Sequence, residues 1–307
     1  VTLAFFAYSF LKISSFPASF RPLLLLKLKD YTVGMILITL LGLVFTQFDK
    51  LILVRILSLS DFASYSIAFT LASSMTLLIS PITVSYFPVF CNLLVAKSRS
   101  TLRSAFHMSS QLVSVISSSL SISVAIYSYP LLRYWTHDPS LASSAAPILQ
   151  VLSIAILFNT LLAIPYQLQL AYGWTSLSIK IELVMLLIFV PSTIFFVNIY
   201  GSIGAALSML VLNILLLFCS CLYMFSKILK AESRFWFCND IVAPALAAVI
   251  VANLLSRTFS FIVDQGFIGF ICSFLLVFSA SLLSSLLCAS LLRKYCVGFV
   301  RSLFKLA

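Results

Sequence analysis

The chain has 307 residues, 62% of them hydrophobic and 9% charged, with a mean hydropathy of +1.15. Soluble domains carry about 25% charged residues and cannot hide so large an apolar share from water; a water-soluble enzyme, a disulfide scaffold and a disordered segment are therefore excluded. The net charge of +11, from 19 Lys and Arg against 8 Asp and Glu, is expected to mark membrane orientation and not a nucleic-acid partner.

A helix needs about 20 mostly apolar residues to cross the hydrocarbon core. With breaks at charged and turn residues, the chain divides into segments 1–11, 31–57, 62–95, 105–132, 143–172, 176–199, 202–225, 240–261 and 267–292. The prediction is an all-α, polytopic membrane helix bundle of about nine segments, the first one partial. Val1–Leu11 is too short to span and lacks the small-residue cleavage site of a signal peptide. It is expected to be the end of a helix whose upstream part is missing; a short first segment from an unusual start is the alternative.

Connecting segments alternate in charge. One set holds Lys12, Arg21, Lys27 and Lys29; Lys97, Arg99 and Arg103; Lys180; Lys227, Lys230 and Arg234; and Arg293, Lys294, Arg301 and Lys305. The other holds only Lys50, Arg55, Arg133 and Arg257. Cytoplasmic loops retain Lys and Arg, so the first set and the C-terminus are expected inside. Tyr127, Tyr129, Tyr134 and Trp135 read as the outer aromatic belt, and Trp174, Phe235 and Trp236 as the inner one.

Charge within the membrane is the strongest local signal, because it costs several kcal/mol unless a partner or cavity satisfies it. In segment 31–57, Asp49 and Lys50 lie roughly 27 Å along from Tyr31, with Arg55 beyond them. Adjacent helical residues diverge in direction, so one of the pair is expected to face a cavity while the other snorkels; anchoring at the outer interface is the plainer alternative. Lys180 and Glu182 point to different sides of their helix. Lys180 is expected to reach the inner surface, leaving Glu182 in need of a donor or a wet cavity. These five are the substrate or cavity candidates.

Asp240 reads as a helix cap, and His107 and His137 as interfacial histidines. Asn159, Gln167, Gln169 and Asn213 read as hydrogen-bonding glue between helices. Pro81, Pro88 and Pro165 are hinge candidates. Ser110, Ser114 and Ser118 recur every four residues, as do Ser281, Ser285 and Ala289, a spacing that lets helices approach closely. No C-x-x-C, nucleophile constellation or phosphate-binding glycine loop occurs. No metal, cofactor or catalytic residue is expected, and the chain is not read as an enzyme.

Several stretches resemble the Wzx-type oligosaccharide flippases, polysaccharide transporters related to multidrug and toxin extrusion exporters. Thr46-Gln47-Phe48-Asp49-Lys50-Leu51-Ile52-Leu53, followed by Leu57-Ser58-Leu59-Ser60-Asp61-Phe62-Ala63-Ser64-Tyr65, looks like the start of a lobe. Pro81-Ile82-Thr83-Val84-Ser85-Tyr86-Phe87-Pro88 fits the end of the next helix. Gln169-Leu170-Ala171-Tyr172-Gly173 and Tyr200-Gly201-Ser202-Ile203-Gly204-Ala205-Ala206 fit helix junctions. Ala63 departs from the family's usual Gly. The family has two six-helix lobes, whereas one lobe and an extra pair map here. The division expected is 1–30, a remnant helix and basic linker; 31–225, a six-helix lobe; and 226–307, two added helices with a basic tail.

The resemblance implies movement of an undecaprenyl-diphosphate-linked oligosaccharide from the cytoplasmic to the periplasmic leaflet of the bacterial inner membrane, for O-antigen or exopolysaccharide synthesis. A polysaccharide polymerase and a chain-length regulator are the implied partners beside the lipid bilayer, and the isolated chain is expected to be incomplete. Alternatives are a cation-coupled exporter of drugs or organic cations, and a membrane enzyme of the same pathway. The short outer loops argue against the enzyme.

Overall fold

A computed structural model describes residues 22–230, 232–259, 261 and 266–295. Segment 1–11 and the C-terminal tail lie outside the described residues. The expected all-α membrane bundle is what the structure shows. Its helices are α1 (Pro22–Ile56), α2 (Leu59–Val95), α3 (Arg99–Ile126), the short α4 (Ser128–Thr136), α5 (Pro139–Ala171), α6 (Thr175–Lys227), α7 (Ser233–Thr258) and α8 (Phe267–Cys288). Seven of these are long and apolar enough to cross a membrane.

The 53-residue α6 is two helices, 175–200 (α6a) and 202–227 (α6b), joined at Gly201 with φ 60° and ψ −138°. Only glycine adopts that backbone without strain. A Cβ added to Gly204 would lie 2.0 Å from the carbonyl oxygen of Phe196, although eight residues of straight helix span about 12 Å. The chain therefore doubles back here, and Thr193 Oγ1 donates to Ser208 Oγ across the hairpin at 3.1 Å. Segments 176–199 and 202–225 were expected as separate helices, and they are.

Helix starts follow the sequence. Ser58 accepts the Asp61 N–H at 3.2 Å and opens α2; Asp138, with Pro139 after it, opens α5. The helices run on through Pro81, Pro88 and Pro165, and the one residue with non-helical backbone inside a described helix is Gly201. Large apolar side chains such as Leu40, Leu77, Leu187, Phe195, Leu222, Ile250 and Leu283 stand on the outer surface, as lipid contact requires.

α3 is the centre of the bundle. Its apolar stretch is 78% buried, against 13–56% in the other candidate spans, although its mean hydropathy, 1.4, is the lowest of them. The reason is size rather than polarity. Ser109, Ser110, Ser114, Ser117, Ser118, Ser119, Ser121 and Ser123 are all buried, and small side chains let α2, α5, α7 and α8 pack around it. α5 joins α2, α3 and α6, and α1 lies chiefly against α6.

Candidate functional site

A cavity of about 370 Å³ opens between α1, α5 and both arms of α6. Small residues make the room: Gly42 on α1, Ala163 on α5, Ser178 on α6a and Ser220 on α6b. Its polar lining is Asn159, Tyr166 and Gln169 from α5, Glu182 from α6a and Asn213 from α6b. Asn159 Nδ2 donates to Asn213 Oδ1 at 3.0 Å, and Gln169 Nε2 to the Ser220 carbonyl at 3.3 Å. These are the interhelical contacts expected of Asn159, Asn213 and Gln169, and they hold the cavity walls together.

Glu182 differs from these neighbours. Its Oε2 is buried and meets no hydrogen-bond partner among the described residues, as does the Ser178 hydroxyl one turn earlier. Lys180 is exposed and lies two positions away, so it is no partner for the carboxylate. A carboxylate so placed in a membrane is satisfied by a proton, a cation or water. The cavity is thus equipped to bind a small cation or to take up a proton.

The remaining candidates sit elsewhere. Lys50 is exposed, with its ammonium 5.9 Å from the centroid of the Phe69 ring on α2, a cation–π approach. Arg55 is exposed in the last turn of α1. Asp49 belongs to α1, but its side chain is outside the described residues. Of the four candidates with described side chains, only Glu182 lines the cavity.

A second polar assembly was missed at the sequence level. His107 on α3 is buried, with Nδ1 2.5 Å from Asp240 Oδ2 and Nε2 3.2 Å from Glu232 Oε2. Glu232 Oε1 pairs with Arg103 at 2.7 Å. Gln111 Nε2 donates to Asp240 Oδ1 at 2.8 Å, while Gln111 Oε1 accepts the N–H groups of Leu291 and Leu292 at 3.0 and 3.2 Å. The chain past α8 restarts as a helix after the extended Ala289, and Gln111 satisfies two of the donors that a helix start leaves open.

Asp240 is therefore not a helix cap. It lies inside a π-helical segment, Trp236–Val242, within α7. The wider turn brings Trp236, Asp240 and Ile241 together as its buried residues. Trp236 does not face outward as an aromatic belt would; it is buried, and its Nε1 donates to Ser110 Oγ at 3.1 Å. Tyr127 is buried too, sharing a 2.6 Å hydrogen bond with Ser273 on α8, and His107 is buried among the helices. His137 is exposed at the end of α4. A spacing of three or four residues along α3, through Arg103, His107, Ser110, Gln111 and Ser114, was the available signal.

The two carboxylates meet opposite nitrogens of one imidazole, so they converge on no point a metal could occupy; among the described residues no metal-binding group occurs. The network ties α3 to the C-terminal helices, whereas the Glu182 cavity is an open chamber in the membrane.

Apolar helices of spanning length, one of them folded back at Gly201, make this a multi-pass helical membrane protein. Residues 4–136 match the model of a family described as polysaccharide biosynthesis protein. The match covers less than half of the chain and fits a membrane protein of a polysaccharide pathway. No protein of curated function and no solved structure matches the chain.

Proposed function

We propose that the chain forms a transporter lobe that moves polyprenyl-diphosphate-linked oligosaccharides across the inner membrane, as a flippase and not as an enzyme. The observation that carries this reading is the match of residues 4–136 to the polysaccharide biosynthesis family, on a chain whose described residues form membrane helices and short connections. A lipid-linked sugar too polar to cross the bilayer needs such a conduit. No phosphate-binding glycine loop drives the step, so a gradient, the substrate or another protein supplies the energy. Glu182 in its cavity is the residue best placed to bind the coupling proton or cation.

The test is complementation of a strain lacking its polysaccharide flippase, using the natural reading frame that encodes this chain. Restored surface polysaccharide supports the reading; continued accumulation of lipid-linked repeats on the cytoplasmic side, with the protein present in the membrane, counts against it. Asp49→Ala and Lys50→Ala are carried alongside, and both lose their standing as site residues if they restore polysaccharide as well as the parent.

Glu182 also favours a second reading, a cation-coupled exporter of organic cations, because an acidic residue in an open apolar chamber attracts a lipophilic cation. Resistance to cationic dyes conferred on a sensitive strain, without polysaccharide complementation, would select it.

A further inference from the structure

A second chamber, of about 490 Å³, lies at the basic end of the bundle, where α3 begins, α5 turns into α6a, and α6b ends. Arg99, Arg103, Lys227 and Lys230 line it. Its one carboxylate, Glu232, is turned onto Arg103 and His107. Arg99, Lys227 and Lys230 have no carboxylate partner among the salt bridges of the described residues. All four cations are exposed, so the chamber presents an excess of about three positive charges to an entering anion. Tyr172 and Trp174 stand on the same wall, the residue types that settle at the headgroup level of a bilayer.

Next to this chamber, sharing the ends of α6b and α7, runs a groove of about 260 Å³ lined by Leu217, Phe218, Leu222, Phe225, Trp236 and Phe237. Phe218, Leu222 and Phe237 are exposed. The chain itself joins the two: Phe225 in the groove is followed by Lys227 in the chamber, and Glu232 in the chamber by Ser233 and Arg234 at the groove.

Cations at the bilayer surface with an apolar channel beside them complement one kind of molecule, a lipid with a phosphate-bearing headgroup. We propose that this place is a binding site for such a lipid, its phosphate held by Arg99, Arg103, Lys227 and Lys230 and its hydrocarbon lying along Phe218 and Leu222. Guanidinium groups suit the phosphate because they donate in a fork. A basic pocket between membrane helices is the expected form of headgroup recognition. A free inorganic phosphate would satisfy the cations and leave the groove unused. The site is independent of whether the chain transports oligosaccharides.

The test uses the full 307-residue chain purified into phosphatidylcholine nanodiscs doped with phosphatidic acid, with retained lipid counted by native mass spectrometry. The double variant Arg99→Gln, Lys227→Gln is expected to weaken phosphatidic acid retention about twenty-five-fold, from roughly a fivefold loss per charge. Phe218→Ser is expected to weaken it severalfold without altering the affinity for inorganic pyrophosphate. Lys294→Gln, a cation outside the chamber, is expected to match the parent.

Three results would overturn the proposal: retention by the double variant equal to the parent; an equal loss from Lys294→Gln, which would mean diffuse surface charge; or pyrophosphate binding as tight as the lipid with Phe218→Ser silent, which would mean a free-anion site. Thermal unfolding of each variant in plain phosphatidylcholine separates lost binding from lost fold.

Discussion

His107 and Asp240 stand 133 residues apart in sequence and meet at 2.5 Å, both buried. One belongs to the central helix α3 and the other to the π-helical segment of α7. Arg103 and His107 face Glu232 and Asp240 around this contact. Each ring nitrogen of His107 meets one carboxyl group, Nδ1 that of Asp240 and Nε2 that of Glu232. The network therefore joins the C-terminal helices to the rest of the bundle by polar contacts as well as by small-residue packing.

Removing one side of that contact strands the other. Asp240→Ala leaves His107 Nδ1 and Gln111 Nε2 without their acceptor, and breaking a buried pair costs about 3–5 kcal/mol. Interhelical hydrogen bonds in membranes average only about 0.6 kcal/mol, so the larger cost arises if the stranded partner stays charged and dry. Asp240→Asn keeps a carbonyl acceptor and is expected to lose much less. Thermal unfolding in detergent, with proteolysis of the α6–α7 connection as a second readout, checks the order: Ala well below Asn, Asn slightly below the parent. Equal melting of all three would show that water satisfies His107 and Gln111.

The helices were legible in the sequence because a membrane span needs apolar length and little else. Even the break between α6a and α6b showed at Tyr200-Gly201, where the apolar run carries a glycine. The buried network was not, because its members look ordinary singly. Asp240, a few residues before an apolar run, has the look of a cap, and only the wider π turn places it against α3. Trp236 and Tyr127 fall near span ends, where aromatics serve as interface anchors; their burial depends on which helix lies beside them, which no local pattern states. Glu182 was visible as a charge needing company, but the chamber around it is made by Gly42, Asn159 and Asn213 on other helices.

Gly204 and Gly201 fail differently when substituted. At Gly204 an added methyl meets the backbone oxygen of Phe196 at 2.0 Å, and the α6 hairpin must open to admit it. At Gly201 nothing lies within 4 Å of an added Cβ, so the penalty is backbone strain alone, about 1–3 kcal/mol for a residue held at that φ and ψ. Gly204→Ala is expected to lower the melting temperature more than Gly201→Ala. It is also expected to weaken a disulfide engineered between positions 193 and 208. A Gly204→Ala protein that cross-links as well as the parent would mean the arms are less closely packed.

Asp138 gives a prediction with a pH sign. Its Oδ1 accepts from Ser140 Oγ at 2.7 Å and from the N–H groups of Ser140 and Leu141 at 2.8 and 3.3 Å. The Ser140 hydroxyl first, then the two amides, hold its carboxyl below the usual carboxylate range. The folded value lies under the unfolded one, so the ionised cap stabilises α5 above about pH 4 and is lost as pH falls through the folded value. The melting gap between parent and Asp138→Ala should be constant near neutrality and should narrow in acid. A gap that widens in acid would reverse the assignment.

Glu182→Gln separates the cavity's chemistry from its shape. The amide is nearly the same size as the carboxyl, so the chamber among Asn159, Gln169 and Asn213 is retained, and the costly buried charge is gone. The variant is expected to melt at or above the parent temperature. If the carboxylate takes up the coupling ion, Glu182→Gln should also abolish transport driven by a proton or sodium gradient while still reaching the membrane in normal amounts. Glu182→Asp, which keeps the charge on a shorter arm, should retain part of the gradient response. Gradient-driven transport by Glu182→Gln at the parent rate would leave the cavity as a packing defect and move the search for coupling to Asp49 and Lys50 on α1.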